Sequence, residues 1–149
     1  MSGTDFTTGF TVDESPEEVF KAIKDVKHWW SEEIQGPTNK IGDVFKYHYK
    51  DIHRCTLKMT EAIPGKRVAW LVTDNYFNFT EDKTEWQDTR VLFDIAKGHD
   101  GKTEVRFIHE GLVQDYECYE VCSTSWGSYI NGSLKKLITT GKGHPNLKE

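Results

Sequence analysis

The stretch that decides the fold is ECYEVCSTSWGSYINGSLKKLITT, residues 117–140. Gly141 follows its last apolar residues and Pro145 stands shortly after, which is typical of a helix end. The sequence therefore predicts one long C-terminal helix, ~36 Å in length at ~1.5 Å per residue. Its apolar side chains recur at spacings of three and four residues, the period of an amphipathic helix: Tyr119, Cys122, Trp126, Tyr129, Ile130, Leu134, Leu137 and Ile138.

Upstream of this helix, the sequence predicts short antiparallel strands. Apolar and polar residues alternate, as in half-buried strands, over the segments Phe6–Val12, Phe45–Tyr49, Cys55–Thr60, Val68–Thr73, Val91–Ile95 and Val105–His109. A long connection, Asp74–Asp88, interrupts the series and holds four aromatic residues. If it is a loop, we expect its aromatic residues to cover the mouth of a cavity or to form a dimer contact. The alternative is that the two flanking strands extend into it and shorten it.

Two short helices are predicted after the first strand. Ser15-Pro16-Glu17-Glu18 places serine at an N-cap, proline at the first helical position and glutamate three residues after the cap. Lys27–Ile34 predicts a second short helix, which Gly36-Pro37 ends. A strand, two short helices, a run of antiparallel strands and one long helix together indicate an α+β fold whose sheet curls around the last helix.

Composition and charge exclude several classes of function. The 149 residues have a length typical of one domain, spanning 1–149, and a net charge of −5 with scattered basic residues, so we expect no nucleic-acid partner. No apolar run approaches the ~20 residues of a membrane span. The N-terminus shows no secretion signal. We therefore expect no membrane partner and a cytoplasmic location.

Few residues have the chemistry needed for catalysis or metal binding. His109 shares its strand parity with Val105 and Phe107 and is predicted to face inward. There it is either a candidate catalytic base or a core histidine held by a backbone carbonyl. Cys118 and Cys122 share one helix face, but no further ligands stand at metal-binding spacing. We expect free thiols, no metal and no cofactor.

Aromatic content is the most informative feature for function, with 8 Phe, 6 Tyr and 5 Trp. Inward strand positions and one helix face are predicted to converge on an apolar wall with a few hydroxyl, imidazole and indole groups, as in small-molecule pockets. The alternative is a filled core in which these rings close-pack. The predicted ligand-binding residues are Tyr47, Tyr49, Met59, Trp70, Phe93, Phe107, His109, Cys122, Trp126 and Tyr129.

Several motifs, taken in order, resemble a known family. Ser125–Leu137 with Thr140–Gly143, Ser15–Ile23 followed by Trp29-Trp30, and Val105–Leu112 are similar to the family named after the activator of the heat-shock-protein-90 ATPase, within the START/SRPBCC superfamily. The resemblance covers essentially the whole chain. It implies the helix-grip fold, in which a curved antiparallel sheet wraps around a long C-terminal helix. It also implies that the space between them holds a lipid, a polyketide or another apolar ligand.

Three functions are compatible with these residues and this resemblance. The first is a binding or carrier domain for a small apolar or amphipathic ligand, acting as a monomer or homodimer. The second is a cyclase- or hydratase-like enzyme that uses the same cavity, with His109 at its centre and Tyr47 or Tyr129 as proton donor. The third is a chaperone-interacting protein resembling the heat-shock-protein-90 ATPase activator.

Overall fold

An antiparallel sheet of six strands forms the framework of the protein, in a computed structural model that describes residues 5–98, 100–113 and 116–146. Across the sheet the order is β1-β6-β5-β4-β3-β2. The sequence also predicts a hairpin turn at Gly98-His99-Asp100-Gly101, of which His99 lies outside the described residues. The strands are β1 (Phe6–Val12), β2 (Val44–Tyr49), β3 (His53–Ile63), β4 (Arg67–Phe77), β5 (Arg90–Lys97) and β6 (Thr103–Glu110).

The alternating segments form strands, and all except β1 are longer than predicted, β3 and β4 by the most. β3 begins at His53, before the alternation becomes clear, and β4 continues to Phe77. The connection between β4 and β5 therefore covers residues 78–89 and is shorter than the predicted Asp74–Asp88. Pairing between β3 and β4 is interrupted at Thr56/Leu57 and at Met59/Glu61. Such irregularities bend and twist a strand pair, which helps the sheet to curve.

Helix α1 (Pro16–Lys24) begins where the sequence predicts. The Ser15 side chain accepts a hydrogen bond from the backbone N–H of Glu18 at 3.2 Å, and proline occupies the first turn. The helix buries Val19 and Ile23 and packs against β4 and β5. It is followed by a single 3₁₀ turn, Val26–His28.

The second predicted helix, Lys27–Ile34, is wrong beyond this turn. Trp29, Trp30 and Ser31 are all buried, and both indoles stack on Trp70, with ring centroids 6.4 Å and 6.0 Å away. An α-helix turns neighbouring side chains apart by about 100°, so it cannot direct both rings to one partner. Ser31 instead bridges to Asn146 in the C-terminal tail.

The predicted C-terminal helix is present and spans residues 119–140. It consists of α2 (Tyr119–Gly127), a π-helical segment (Ser128–Leu134) and α3 (Lys135–Thr140). Gly141 ends it with a positive φ of 83°. The helix packs against β1 and α1, and together with the sheet it confirms the predicted α+β helix-grip fold. In the described part of the chain, no helix is both long and apolar enough to cross a membrane.

Candidate ligand-binding pocket

A pocket opens where the β2–β3 turn, the β4–β5 connection and α2 meet, and its volume is about 150 Å³. An apolar cavity of ~150 Å³ accommodates a benzene-sized molecule. Within the described part of the chain, none of the lining side chains is an acid, a lysine or an arginine. The lining residues are Trp30, Tyr47, Tyr49, Ile52, His53, Phe77, Phe79, Trp86, Val121, Cys122, Ser125, Trp126 and Tyr129.

Aromatic rings form the inner walls of the pocket. Trp30 stacks on Tyr47, with ring centroids 4.2 Å apart. Trp126 lies 5.0 Å from Trp30 and stacks almost parallel to Trp86 at 5.6 Å. These rings come from the segment after α1, from β2, from the β4–β5 connection and from α2. Because four separate segments supply the walls, the pocket exists only in the assembled fold.

Apolar side chains also surround the opening. Ile52, Phe79 and Val121 are 36%, 43% and 56% exposed, and all three line the pocket. They come from the β2–β3 turn, the β4–β5 connection and α2. Exposed apolar residues that cluster around a concave site are typical of a binding mouth.

His53 is the most distinctive polar group of the pocket. Its Nε2 donates to the Asn75 side-chain oxygen at 2.8 Å, and the Asn75 amide nitrogen donates to the Lys83 carbonyl at 3.2 Å. Burial lowers the pKa of His53 from 6.5 to about 4, although the bond with Asn75 opposes the shift. The ring is therefore neutral near pH 7, and its Nδ1 is a hydrogen-bond acceptor.

Two tyrosine hydroxyls lie together on another wall. The hydroxyls of Tyr47 and Tyr129 are 3.4 Å apart, and the Asn146 amide donates to them at 3.2 Å and 2.7 Å. Burial and the neighbouring Tyr129 raise the pKa of Tyr47 far above its usual value. The Tyr47 hydroxyl therefore stays protonated over the physiological range.

The pocket thiol is also a neutral group. The neighbouring Cys118 thiol and burial raise the pKa of Cys122 far above its usual value. A thiol in this state is not a nucleophile, because the thiolate is the reactive species. Among the described residues, no group of three or more histidine, cysteine, aspartate or glutamate side chains is placed to hold a metal ion.

Two glutamates tie the wall formed by the β4–β5 connection to the start of α2. The buried carboxylate of Glu85 accepts from the backbone N–H groups of Glu117 and Cys118 at 2.8 Å and 3.1 Å. In return, the Glu117 carboxylate accepts from the backbone N–H groups of Glu81 and Asp82 at 3.1 Å and 3.4 Å. These reciprocal bonds pair backbone N–H groups of the β4–β5 connection and of the residues just before α2, and so hold one side of the opening together.

The structure divides the predicted ligand-binding residues into two groups. Tyr47, Tyr49, Cys122, Trp126 and Tyr129 line the pocket. The other five are completely buried and lie outside its lining, where they fill the core between sheet and helix: Met59, Trp70, Phe93, Phe107 and His109. The region predicted to be either a cavity or a filled core is thus a filled core with a small pocket at one end.

His109 is a core histidine with both nitrogens occupied. The Trp126 indole N–H donates to its Nδ1 at 3.0 Å, so Nε2 has the proton and donates to the Thr89 hydroxyl at 2.8 Å. Thr89 in turn donates to the Trp86 carbonyl at 2.5 Å. Burial, with a smaller effect from His53, lowers the pKa of His109 to about 3. A side-chain hydroxyl and an indole hold the ring, where the sequence suggested a backbone carbonyl.

Sequence reasoning missed eight of the lining residues. His53 and Phe77 were missed because they lie at the ends of strands that extend beyond their alternating segments. Phe77, Phe79 and Trp86 were noted only as aromatics of a long connection, although their density there was the available signal. The lining residues absent from the predicted set are Trp30, Ile52, His53, Phe77, Phe79, Trp86, Val121 and Ser125.

Comparison with known protein families agrees with this architecture. The model of the family described as "Activator of Hsp90 ATPase homolog 1-like protein" matches residues 13–139. The chain belongs to this family. No match was found among curated protein sequences.

Solved structures show the same fold. The solution structure of the Aha1 dimer from Colwellia psychrerythraea is 26% identical, with a TM-score of 0.73, and the match covers 94% of this chain and 99% of that one. DynU16, a putative protein in the dynemicin biosynthetic locus, is 14% identical with a TM-score of 0.71; the match covers 95% of this chain and 50% of DynU16. MLL2253 from Mesorhizobium loti is 15% identical with a TM-score of 0.64, over 89% and 94% of the two chains.

Proposed function

We propose that this member of the family is a binding or carrier domain for a small apolar or amphipathic molecule. The observation that supports this proposal is the pocket of about 150 Å³, walled by aromatic rings and opening between Ile52, Phe79 and Val121. Its volume suits a benzene-sized group. A larger ligand places one such group inside and extends past the apolar mouth.

The state of the polar groups favours binding over catalysis. Near pH 7 His53, Tyr47 and Cys122 are neutral, and the pKa shift of each group moves its pKa further from that pH. A general base or acid works best when its pKa lies near the working pH. The cyclase or hydratase alternative placed His109 at its centre, and both nitrogens of that ring are engaged within the core. No observation in the structure favours that alternative.

The expected affinity for a simple probe follows from burial. Transferring about six ring carbons at ~0.8 kcal/mol each contributes about 5 kcal/mol. That free energy corresponds to a Kd of roughly 0.2 mM, before any cost of ordering the ligand. Toluene is therefore a suitable probe, with an expected dissociation constant of about 1 mM once the cost of ordering the ligand is included.

The experiment is a toluene titration followed by tryptophan fluorescence, since Trp30, Trp86 and Trp126 line the pocket. The wild-type protein gives a saturable change. Ser125→Phe places a ring inside the pocket and abolishes the change. Thr124→Phe is the matched control, because Thr124 is exposed on the same helix and outside the lining, and it keeps the wild-type response. Equal responses in the two variants, or none in the wild-type protein, contradict the proposal.

The similarity to Aha1 favours a second candidate function, contact with a chaperone of the Hsp90 type. The supporting observation is 26% identity over 94% of the chain, together with membership of the family. Isothermal titration calorimetry with purified Hsp90 tests it. A saturable heat that persists in Ser125→Phe supports a surface contact independent of the pocket, and the absence of any heat eliminates this candidate.

A further inference from the structure

His53 differs from the other buried histidine in what its second nitrogen contacts. At His109 both ring nitrogens have protein partners. At His53 only Nε2 has one, the Asn75 oxygen, and Nδ1 has no hydrogen-bond partner within the described residues. His53 is nevertheless almost completely buried and lines the pocket. Nδ1 is not among the fully buried side-chain atoms that lack a partner, so it keeps accessible surface. A ligand that enters the pocket can therefore place a donor on this nitrogen, in the position that water takes in the free protein.

The orientation of this acceptor is fixed by its neighbours. The Asn75 amide nitrogen is committed to the Lys83 carbonyl, which leaves its oxygen as the acceptor for His53 Nε2–H. The tautomer of His53 follows from this pair, and Nδ1 has the free lone pair. Asn75 is thus a positioning residue that acts through His53.

Three aromatic rings pack against the imidazole of His53. The ring centroids of Phe77, Trp86 and Tyr47 lie 4.3 Å, 4.6 Å and 5.2 Å from that of His53. A group that reaches Nδ1 therefore lies among ring faces and edges, where another flat ring packs well. Among the described residues, the lining contains no lysine or arginine to compensate a negative charge and no acid to compensate a positive one. These contacts select a neutral ligand.

We propose that the pocket selects a neutral aromatic ring with a hydroxyl group, a phenol, whose O–H donates a hydrogen bond to His53 Nδ1. This inference rests on the proposed binding function and specifies the class of its ligand. A phenol ring with its single oxygen remains close to the benzene-sized volume of about 150 Å³.

The test compares phenol with fluorobenzene, which has a similar size and no hydrogen-bond donor. Both are titrated into the wild-type protein and into His53→Phe, with amide NMR shifts as the readout. Comparing the ratio of the two dissociation constants between the wild-type protein and His53→Phe cancels the different hydration of the two ligands, which is the same for both proteins. We expect this ratio to move about tenfold in favour of fluorobenzene when His53 is replaced, as the loss of one net hydrogen bond predicts. An unchanged ratio overturns the inference.

A second measurement needs no substitution and so does not depend on how the variant folds. In the ¹⁵N-labelled wild-type protein, saturating phenol shifts the His53 Nδ1 resonance, whereas fluorobenzene does not. The ring nitrogens of His109 are the internal control and stay unchanged with both ligands. If fluorobenzene binds and phenol leaves His53 Nδ1 unmoved, this inference fails and the binding function stands. If neither compound binds, both proposals fail.

Discussion

Mild acid is expected to destabilise the protein through its two buried histidines. Burial lowers the pKa of His53 from 6.5 to about 4 and that of His109 from 6.5 to about 3. In the unfolded chain both rings return to ~6.5. Between these values the unfolded chain binds more protons than the folded one. The stability contributed by the neutral rings is therefore complete above pH ~6.5 and is lost as the pH falls towards ~4.

The size of the effect follows from the same values. When the pH is lowered from about 7 to about 5.5, the protonated fraction of each histidine rises to roughly nine-tenths in the unfolded chain. In the folded chain this fraction stays close to zero. The free energy of unfolding falls by about 1.2 kcal/mol for each ring, and thus by about 2.5 kcal/mol for the pair. Urea unfolding at the two pH values measures this loss as a lower midpoint with an unchanged slope.

Two variants isolate the contribution of His53. His53→Gln removes one of the two buried imidazole rings. Over the same pH change, the free energy of unfolding of this variant should therefore fall by about 1.2 kcal/mol less than that of the wild-type protein. His144→Gln replaces an exposed histidine of the C-terminal tail and should keep the full loss. An equal loss in His53→Gln and in the wild-type protein would refute the reasoning, as would a wild-type stability that does not change with pH.

Three further substitutions test contacts at the pocket and in the C-terminal tail. Trp126→Ala removes a fully buried indole and is expected to cost about 3–5 kcal/mol, measured by urea unfolding; an unshifted midpoint would contradict its placement. Glu85→Ala should speed hydrogen exchange at the Glu117 backbone amide, because the Glu85 carboxylate accepts its N–H. Replacement of the exposed Glu81 by alanine should leave that exchange rate unchanged. Equal exchange rates in the two variants would rule out the hydrogen bond between Glu85 and the Glu117 amide. Gly143→Ala should lower the melting temperature, since a Cβ there meets the His28 carbonyl at under 2.5 Å, and an unchanged temperature would argue against this close approach.

Local sequence patterns predict the fold well where burial alternates along one element. β1 shows this clearly: Phe6, Phe10 and Val12 lean inward while Thr7 and Thr11 are exposed. The N-cap at Ser15 and the positive φ at Gly141 were predictable for the same reason, because their physics lies within a few residues. The family resemblance then supplied the arrangement of sheet and helix, which local patterns alone do not determine.

The sequence was less informative where tertiary contacts override local preference. Lys27–Ile34 has a helical pattern, but Trp29 and Trp30 both stack on Trp70, and the chain there forms turns in place of a continuous helix. The same limit applies to the site. His53 and His109 both lie on inward strand positions, and strand parity cannot tell which of them the helix covers.

The alternative between cavity and filled core depended on volumes that no pattern encodes. Phe93, Phe107 and Trp70 fill the middle of the space between sheet and helix. The pocket lies at the end of the sheet, where β4 and the β2–β3 turn extend beyond the part of β4 that pairs with β5. The identity of the lining residues therefore followed from strand lengths, which are the least certain part of a sequence-based prediction.

The most direct test of the binding site is to locate toluene on the protein by intermolecular NOEs in a methyl-labelled sample. The exposed apolar side chains provide an internal comparison, because Ile52 and Val121 border the pocket while Ile41, Val44 and Ile63 lie elsewhere. We predict NOEs from toluene to the methyl groups of Ile52 and Val121, which disappear in Ser125→Phe. NOEs to Ile41, Val44 or Ile63 alone, or none at saturating toluene, would contradict a binding site in this pocket.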